Sequence, residues 1–133
     1  MRLNIATLCE SAVLRGNTLD ISGIISILLC ESAPCVAGGA AFSPKCLLFW
    51  SGVDRSLAPE LMMFGPSGFL KSFVIPNAPF QSSDAVVQIM DFRGVELPEL
   101  GLYRGVIRES DTSYGEFTFE LRSVVRAGGR VYA

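Results

Sequence analysis

The chain has 133 residues, of which half are hydrophobic and 18% are charged, and its formal net charge is −2. This length predicts one domain spanning residues 1–133, long enough to bury a hydrophobic core. The slight negative charge excludes the basic surface that nucleic-acid binding requires, so we expect no nucleic-acid partner. Because the charged share is below the usual value of about 25%, many apolar residues must be covered by a core, a membrane or a partner.

The most apolar window, residues 21–42, does not fit a membrane span. It contains Glu31 and a Gly-Gly pair, whereas a transmembrane helix needs about 20 uninterrupted apolar residues. A secretory signal is also not expected, because Glu10 and Arg15 follow the short apolar run at the N-terminus. We therefore expect a cytoplasmic protein without a membrane span.

The first hairpin is the clearest folding signal in the chain. Residues 2–9 alternate as a strand, and the Gly-Asn pair at 16–17 supplies turn chemistry, since both residues tolerate positive φ. Residues 18–29 are rich in β-branched side chains and predict a second strand. Residues 10–15 fit a bulge, a short helical turn or a continued strand. Residues 31–44 contain two prolines and a Gly-Gly pair, which predicts a long loop that binds something or packs on a neighbour.

Strand-like segments follow one another through the rest of the chain. Residues 45–53 are apolar on both faces, which predicts a central strand or one whose outer face is covered. Residues 116–124 alternate regularly and should direct Phe117, Phe119 and Leu121 into the core. The remaining predicted strands are 60–64 (a strand or a helical turn), 69–75, 85–92 and 101–109, with loops at 76–83 and 110–115.

Seven to nine short strands without a long amphipathic helix predict an all-β fold. The expected architecture is an antiparallel β-sandwich, either immunoglobulin-like or C2-like.

Two local patterns resemble known groups of proteins. Residues 8–23 read Leu-Cys-Glu-Ser-Ala, then a Gly-containing turn, then a strand ending in Gly. This segment resembles the N-termini of a family of small bacterial proteins without an assigned function. Residues 101–103, Gly-Leu-Tyr, look like the G-x-Y strand start of immunoglobulin-like and C2-like sandwiches. Both resemblances imply a β-sandwich and neither implies an activity; residues 60–80 depart from the pattern.

The chain lacks the side chains of the commonest catalytic and metal sites. It contains no histidine, which excludes Ser-His-Asp and Cys-His catalysis within this chain. Glu96 and Glu99 flank a Leu-Pro pair and could act as paired carboxylates, although two acids beside a turn are usually solvated. Single acids near strand ends could hold calcium as in C2-like domains, but they do not form a D-x-D cluster; they are Asp54, Asp84, Asp91 and Asp111. We predict no catalytic, cofactor-binding or metal site.

Four cysteines allow disulfides whose pairing the sequence does not determine. Cys9 and Cys46 lie in apolar runs, where a cysteine behaves as a small buried hydrophobic residue. Cys30 and Cys35 flank a predicted loop and could approach each other. A reducing compartment favours free thiols at all four positions.

Surplus hydrophobicity is the strongest indication of function. The candidate interface residues lie in or beside loops, and they are Met62, Met63, Phe64, Phe69 and Phe80. Large exposed apolar patches usually mark interfaces. The sequence therefore favours a non-enzymatic binding or structural subunit that contacts protein, either copies of itself in a homo-oligomer or another protein, and a large core with a loop folded over it is the structural alternative.

Two other functions stay open. The first is a small-ligand or carbohydrate-binding module with Trp50, Tyr103 and Tyr114 as stacking platforms. The second is a histidine-free enzyme that uses the paired glutamates or the thiol of Cys35.

Overall fold

The fold is built from strands, and the part of the chain that the structure describes contains no helix. The computed structural model describes residues 1–16, 18–39, 43–76, 85–127 and 130–132. The strands, in chain order, are β1 (Arg2–Arg15), β2 (Thr18–Ile25), β3 (Ile27–Cys30), β4 (Cys35–Val36), β5 (Lys45–Ser51), β6 (Pro59–Gly65), β7 (Gly68–Val74), β8 (Val86–Asp91), β9 (Glu96–Leu97), β10 (Gly101–Glu109), β11 (Thr112–Ser123), β12 (Val125–Ala127) and β13 (Arg130–Tyr132).

The longer strands form two sheets. Sheet A has four strands in the order β2-β1-β5-β8, and sheet B has five in the order β3-β11-β10-β6-β7. Neighbours are antiparallel except β3 and β11, which are parallel. The shorter strands form two small ladders, β4 with β9 and β12 with β13. The predicted all-β sandwich is confirmed, and these small ladders bring the described strands above the predicted number.

The two sheets pack face to face around one apolar core. Trp50 from sheet A and Leu61, Tyr103 and Phe119 from sheet B are each at most 1% exposed and belong to one cluster. The indole Nε1 of Trp50 donates a hydrogen bond of 2.8 Å to Oε1 of the buried Gln88. The core therefore contains a paired polar group among its largest rings, as a buried indole N–H requires.

Alternation along single strands sets which side chains enter this core. In β11 the predicted inward residues Phe117, Phe119 and Leu121 are buried. The predicted central strand at 45–53 is also confirmed, because β5 lies between β1 and β8 in sheet A. Its Leu47 faces away from the main core and joins a second, smaller buried cluster on the other side of the sheet.

The prediction of one strand over residues 18–29 is wrong, because the chain changes sheets at Ser26. β2 is an edge strand of sheet A, whereas β3 is an edge strand of sheet B. The amide of Glu120 donates a hydrogen bond of 2.9 Å to the carbonyl oxygen of Ser26 and fixes β3 beside β11. Three positions earlier, Gly23 has a φ of 64°, a conformation that few other residues adopt. The first hairpin therefore joins both sheets along one side of the sandwich.

Three other sequence predictions are refined. The predicted loop at 110–115 is a tight turn at 110–111, after which β11 begins. Residues 60–64 belong to a strand and not to a helical turn. The predicted loop at 31–44 contains the short strand β4, and residues 40–42 lie outside the description. The loop predicted at 76–83 also lies outside the described residues, except for residue 76.

Sheet B extends one strand beyond sheet A. β1 packs against β11, and β2 leads directly into β3, so the sheets are aligned along that side. Among the described strands, none of sheet A lies opposite β7, the fifth strand of sheet B. All of its residues except the half-buried Phe73 are exposed. Its inner side faces the segment that follows β8 across a cavity of about 410 Å³.

Candidate protein-interaction surface

The hairpin of β6 and β7 places the predicted interface residues on two different faces. Residues along β6 alternate, so Met63 points into the core and is 1% exposed, whereas Met62 and Phe64 lie on the outer face. Phe69 of β7 pairs with Phe64 and is 55% exposed. Phe80 lies outside the described residues. Met62, Phe64 and Phe69 thus share the outer face, and Met63 is a core residue.

Strand register brings arginines onto the same face. Phe64 lies opposite Phe69 in β7 and opposite Arg104 in β10. The two phenyl rings meet edge to face with their centroids 5.7 Å apart. The guanidinium carbon of Arg104 lies 4.9 Å from the centroid of the Phe64 ring, within the range of a cation–π contact. Four residues further along β10, Nη1 of Arg108 lies 3.8 Å from the sulfur of Met62.

We call these side chains the outer patch: Met62, Phe64, Phe69, Arg104 and Arg108. Two further apolar residues extend it, since Val74 is 82% exposed and Leu102 is 60% exposed. Aromatic residues, methionine and arginine are the types enriched at protein interfaces. The outer patch therefore has the composition of a protein-contact surface, with Glu116 as an ion-pair partner at 3.6 Å from Arg104 Nε.

Sequence reasoning missed Arg104, Leu102 and Val74 as members of this surface. Alternation in β10 does place Leu102 and Arg104 on one face, and that is the signal the sequence carries. Their proximity to Phe64 depends on β10 lying beside β6, a pairing between distant segments. No local pattern contains this information.

The rings expected to stack on a ligand are mostly inside the core. Trp50 and Tyr103 are both 0% exposed. Tyr103 stacks on Phe119 with ring centroids 5.2 Å apart, and Trp50 meets the half-buried Tyr114 edge to face at 5.2 Å. These rings hold the two sheets together, so they do not line a concave binding surface.

Two of the candidate acidic residues have structural roles. Oδ1 of Asp91 accepts hydrogen bonds from Ser43 Oγ at 2.7 Å and from the Arg93 amide at 3.0 Å. These bonds, the Arg93 amide first, hold the pKa of the Asp91 carboxyl below its usual value. Glu96 pairs with Val36 in the ladder of β4 and β9. Among the residues that the structure describes, no three Cys, Asp or Glu side chains are grouped as a metal site would require.

The four thiols are free. Burial is the main cause that raises the pKa of Cys46 to about 12, and it also raises the pKa of Cys9. Burial, followed by a hydrogen bond with Cys30, raises the pKa of Cys35 to about 11. A reactive thiol needs a lowered pKa, because the thiolate is the nucleophile. The environment of Cys35 thus favours an inert thiol.

Comparisons of the chain with known proteins give no match. No protein-family model matches the chain, and neither the curated proteins nor the solved structures give a match. Within the described residues there is no helix of the length and apolar character needed to cross a membrane.

Proposed function

We propose that this protein is a non-enzymatic binding or structural subunit that works through protein–protein contacts, with self-association as its main mode. The contacts are made by the outer patch and the neighbouring edge strand β7. On this proposal the protein is cytoplasmic, which agrees with four free thiols and a reducing compartment.

The observation that carries this proposal is the exposed Phe69 held against Phe64, with Arg104 over the Phe64 ring. Phe69 is 55% exposed although the chain offers a large core. Folding gains nothing from leaving a phenyl ring in water, since burying such a side chain contributes about 1.5–3 kcal/mol. A partner that covers Phe69 and its neighbours would recover that free energy.

Self-association is tested by sedimentation velocity over a range of protein concentrations. We expect the wild type to form dimers or larger species as concentration rises. The variants Phe69→Ser and Leu102→Ser should shift that equilibrium to monomer. Ile24→Ser is the matched control, because Ile24 is 72% exposed but lies in β2 of the other sheet. A wild type that stays monomeric at every concentration, or an Ile24→Ser variant as impaired as Phe69→Ser, would contradict the proposal.

A further inference from the structure

We propose that Cys30 and Cys35 are an oxidative modification site, at which a low-molecular-weight disulfide converts the two thiols into a reversible disulfide within the chain. Four cysteines allow several pairings, and the geometry described below favours this one. The site lies at the β3 side of sheet B, away from the outer patch, so the inference does not depend on the proposed self-association.

The two thiols are brought together by a turn of the chain. Cys30 is the last residue of β3 and Cys35 is the first of β4, and residues 31–34 between them form a continuous bend. The carbonyl oxygen of Cys30 accepts a hydrogen bond of 2.8 Å from the Val124 amide, whereas Cys35 pairs with Leu97 of β9. Backbone pairing thus holds each cysteine in place. A hydrogen bond joins the two thiols, so the sulfur atoms are already neighbours before they approach to the S–S length of about 2.05 Å.

The other two cysteines do not compete for either thiol. Cys46 belongs to the main core, and Cys9 belongs to the smaller cluster on the opposite face of sheet A, so the sheet separates these two sulfur atoms. Both residues are 0% exposed, whereas Cys30 and Cys35 are half-buried. An oxidant in solution therefore reaches the pair of Cys30 and Cys35 first.

Solvent reaches this pair from the side of Cys35. This residue lines two neighbouring cavities of about 510 and 400 Å³, which share Val36 and Leu97 as walls. The charged side chains that line them are acidic, Glu10 in one cavity and Glu96 in the other. An uncharged disulfide therefore meets no electrostatic repulsion there, whereas an anionic one does.

The exchange balances without a further reactant. The first cysteine loses its proton and attacks the small disulfide as a thiolate, which forms a mixed disulfide and releases one small thiolate. The second cysteine then loses its proton, attacks the protein sulfur of the mixed disulfide and releases the other small thiolate. The two small thiolates take up the two protons. Two protein thiols are thereby oxidised, and one small disulfide is reduced to two small thiols.

Protonation of Cys35 makes this exchange slow at neutral pH. Burial, followed by the hydrogen bond with Cys30, raises the pKa of Cys35 to about 11, so little of this thiol is ionised. In either order of attack Cys35 acts once as a thiolate. The oxidation rate should therefore rise about tenfold per pH unit between about pH 7 and 8.5. The site consequently responds to sustained oxidation and not to a brief exposure.

The disulfide would clamp one edge of sheet B. β3 has four residues and is the last strand at that side, and the ladder of β4 and β9 contains two residue pairs. A bond between Cys30 and Cys35 ties these two short elements together. Since it closes a small loop in the unfolded chain, we expect the melting temperature to rise by about 5–8 °C on oxidation.

The test maps the disulfide in the wild-type protein. The reduced, folded chain is incubated with hydroxyethyl disulfide, an uncharged probe, at about pH 8, and the remaining thiols are then blocked with N-ethylmaleimide in denaturant. Trypsin releases residues 16–45 as one peptide, which contains Cys30, Cys35 and no other cysteine. We expect this peptide to carry no maleimide and to be lighter by two hydrogen atoms than its reduced form, while Cys9 and Cys46 are blocked.

Three results of this experiment would overturn the proposal. They are maleimide on both cysteines of the peptide after prolonged incubation, a separate hydroxyethyl adduct on each of them, and a disulfide that involves Cys9 or Cys46. Since the mapping uses the wild type, it decides the proposal even if a variant fails to fold.

Two variants and a control test the order of the steps. Cys35→Ser should retain a hydroxyethyl adduct on Cys30, and Cys30→Ser should retain one on Cys35, because the second thiol is missing. Cys46→Ala is the matched control and should form the same disulfide as the wild type. The melting temperature of the oxidised wild type should rise and return on treatment with dithiothreitol, whereas that of Cys35→Ser should not rise. An unchanged melting temperature in the fully oxidised wild type would overturn the clamp at this edge.

Discussion

The hydroxyl of Tyr103 donates a hydrogen bond of 2.5 Å to the carbonyl oxygen of Glu99, four residues earlier, and accepts one of 3.1 Å from the Glu99 amide. The Tyr103 ring stacks on Phe119 in the core at the same time. One side chain thus fixes both the packing of β10 and the path of the chain that enters it. This arrangement is the tyrosine corner of β-sandwich domains, and it gives a physical role to the Gly-Leu-Tyr segment.

Tyr103→Phe should lower the free energy of unfolding by about 1–2 kcal/mol, because the ring stays and both hydrogen bonds to Glu99 are lost. Urea denaturation followed by the fluorescence of the single tryptophan measures this change. Tyr114→Phe is the matched control, since the described residues offer its hydroxyl no hydrogen-bond partner, and its effect should stay below about 0.5 kcal/mol. Equal losses of unfolding free energy in the two variants would show that the hydrogen bonds to Glu99 do not stabilise the fold.

The pair of Trp50 and Gln88 gives the second prediction. Both residues are 0% exposed, and their hydrogen bond is 2.8 Å long. Gln88→Met keeps the side-chain volume but leaves the indole N–H without this acceptor, so it should cost about 1–3 kcal/mol. Urea denaturation monitored by circular dichroism measures the loss. The same substitution in a Trp50→Phe background should cost less, and identical costs in both backgrounds would exclude a coupling between the two side chains.

Strand content could be predicted from the sequence because it depends on local alternation. In β11 the apolar residues occupy every second position, so the local pattern alone directs Phe117 and Phe119 into the core. In β10 both alternating sets mix apolar and charged residues, and the local pattern does not decide which faces inward. The inner face is set by contacts between distant segments, such as Glu109 with Arg55 at 2.9 Å. The change of sheet at Ser26 and the position of β7 beyond the edge of sheet A also depend on contacts between distant segments, so the local pattern does not predict them.

Gly105 shows how such a distant contact acts. It faces the core in β10 opposite Phe117, and a Cβ at this position would lie 2.5 Å from Phe117 Cζ and 2.9 Å from Leu61 Cδ1. Gly105→Ala should therefore destabilise the fold by about 1–3 kcal/mol through overpacking. The control is Gly39→Ala, because no atom of the described residues lies within 4 Å of its added Cβ. Thermal unfolding measures the stability of both variants. If Gly105→Ala does not lower the stability, the Phe117 ring can move aside.

Stability should fall at alkaline pH because the folded chain holds protons that the unfolded chain releases. The ordinary thiol pKa is 9.0, whereas burial raises the pKa of Cys46 to about 12 and that of Cys35 to about 11. Burial also raises the pKa of Tyr103 above its usual value. A raised folded-state pKa contributes stability that is fully present below about pH 9 and is lost as the pH rises through the folded-state value.

Urea denaturation at a series of pH values from neutral to about 12 tests this linkage. For Cys46 the slope should approach about 1.4 kcal/mol per pH unit above pH 9. Cys46→Ala removes this group, so its free energy of unfolding should fall less steeply over the same range, while the contribution of Cys35 persists. Parallel pH profiles for the wild type and Cys46→Ala would show that folding does not raise the pKa of the Cys46 thiol. That result would mean that the thiol is solvated by local opening before the whole chain unfolds.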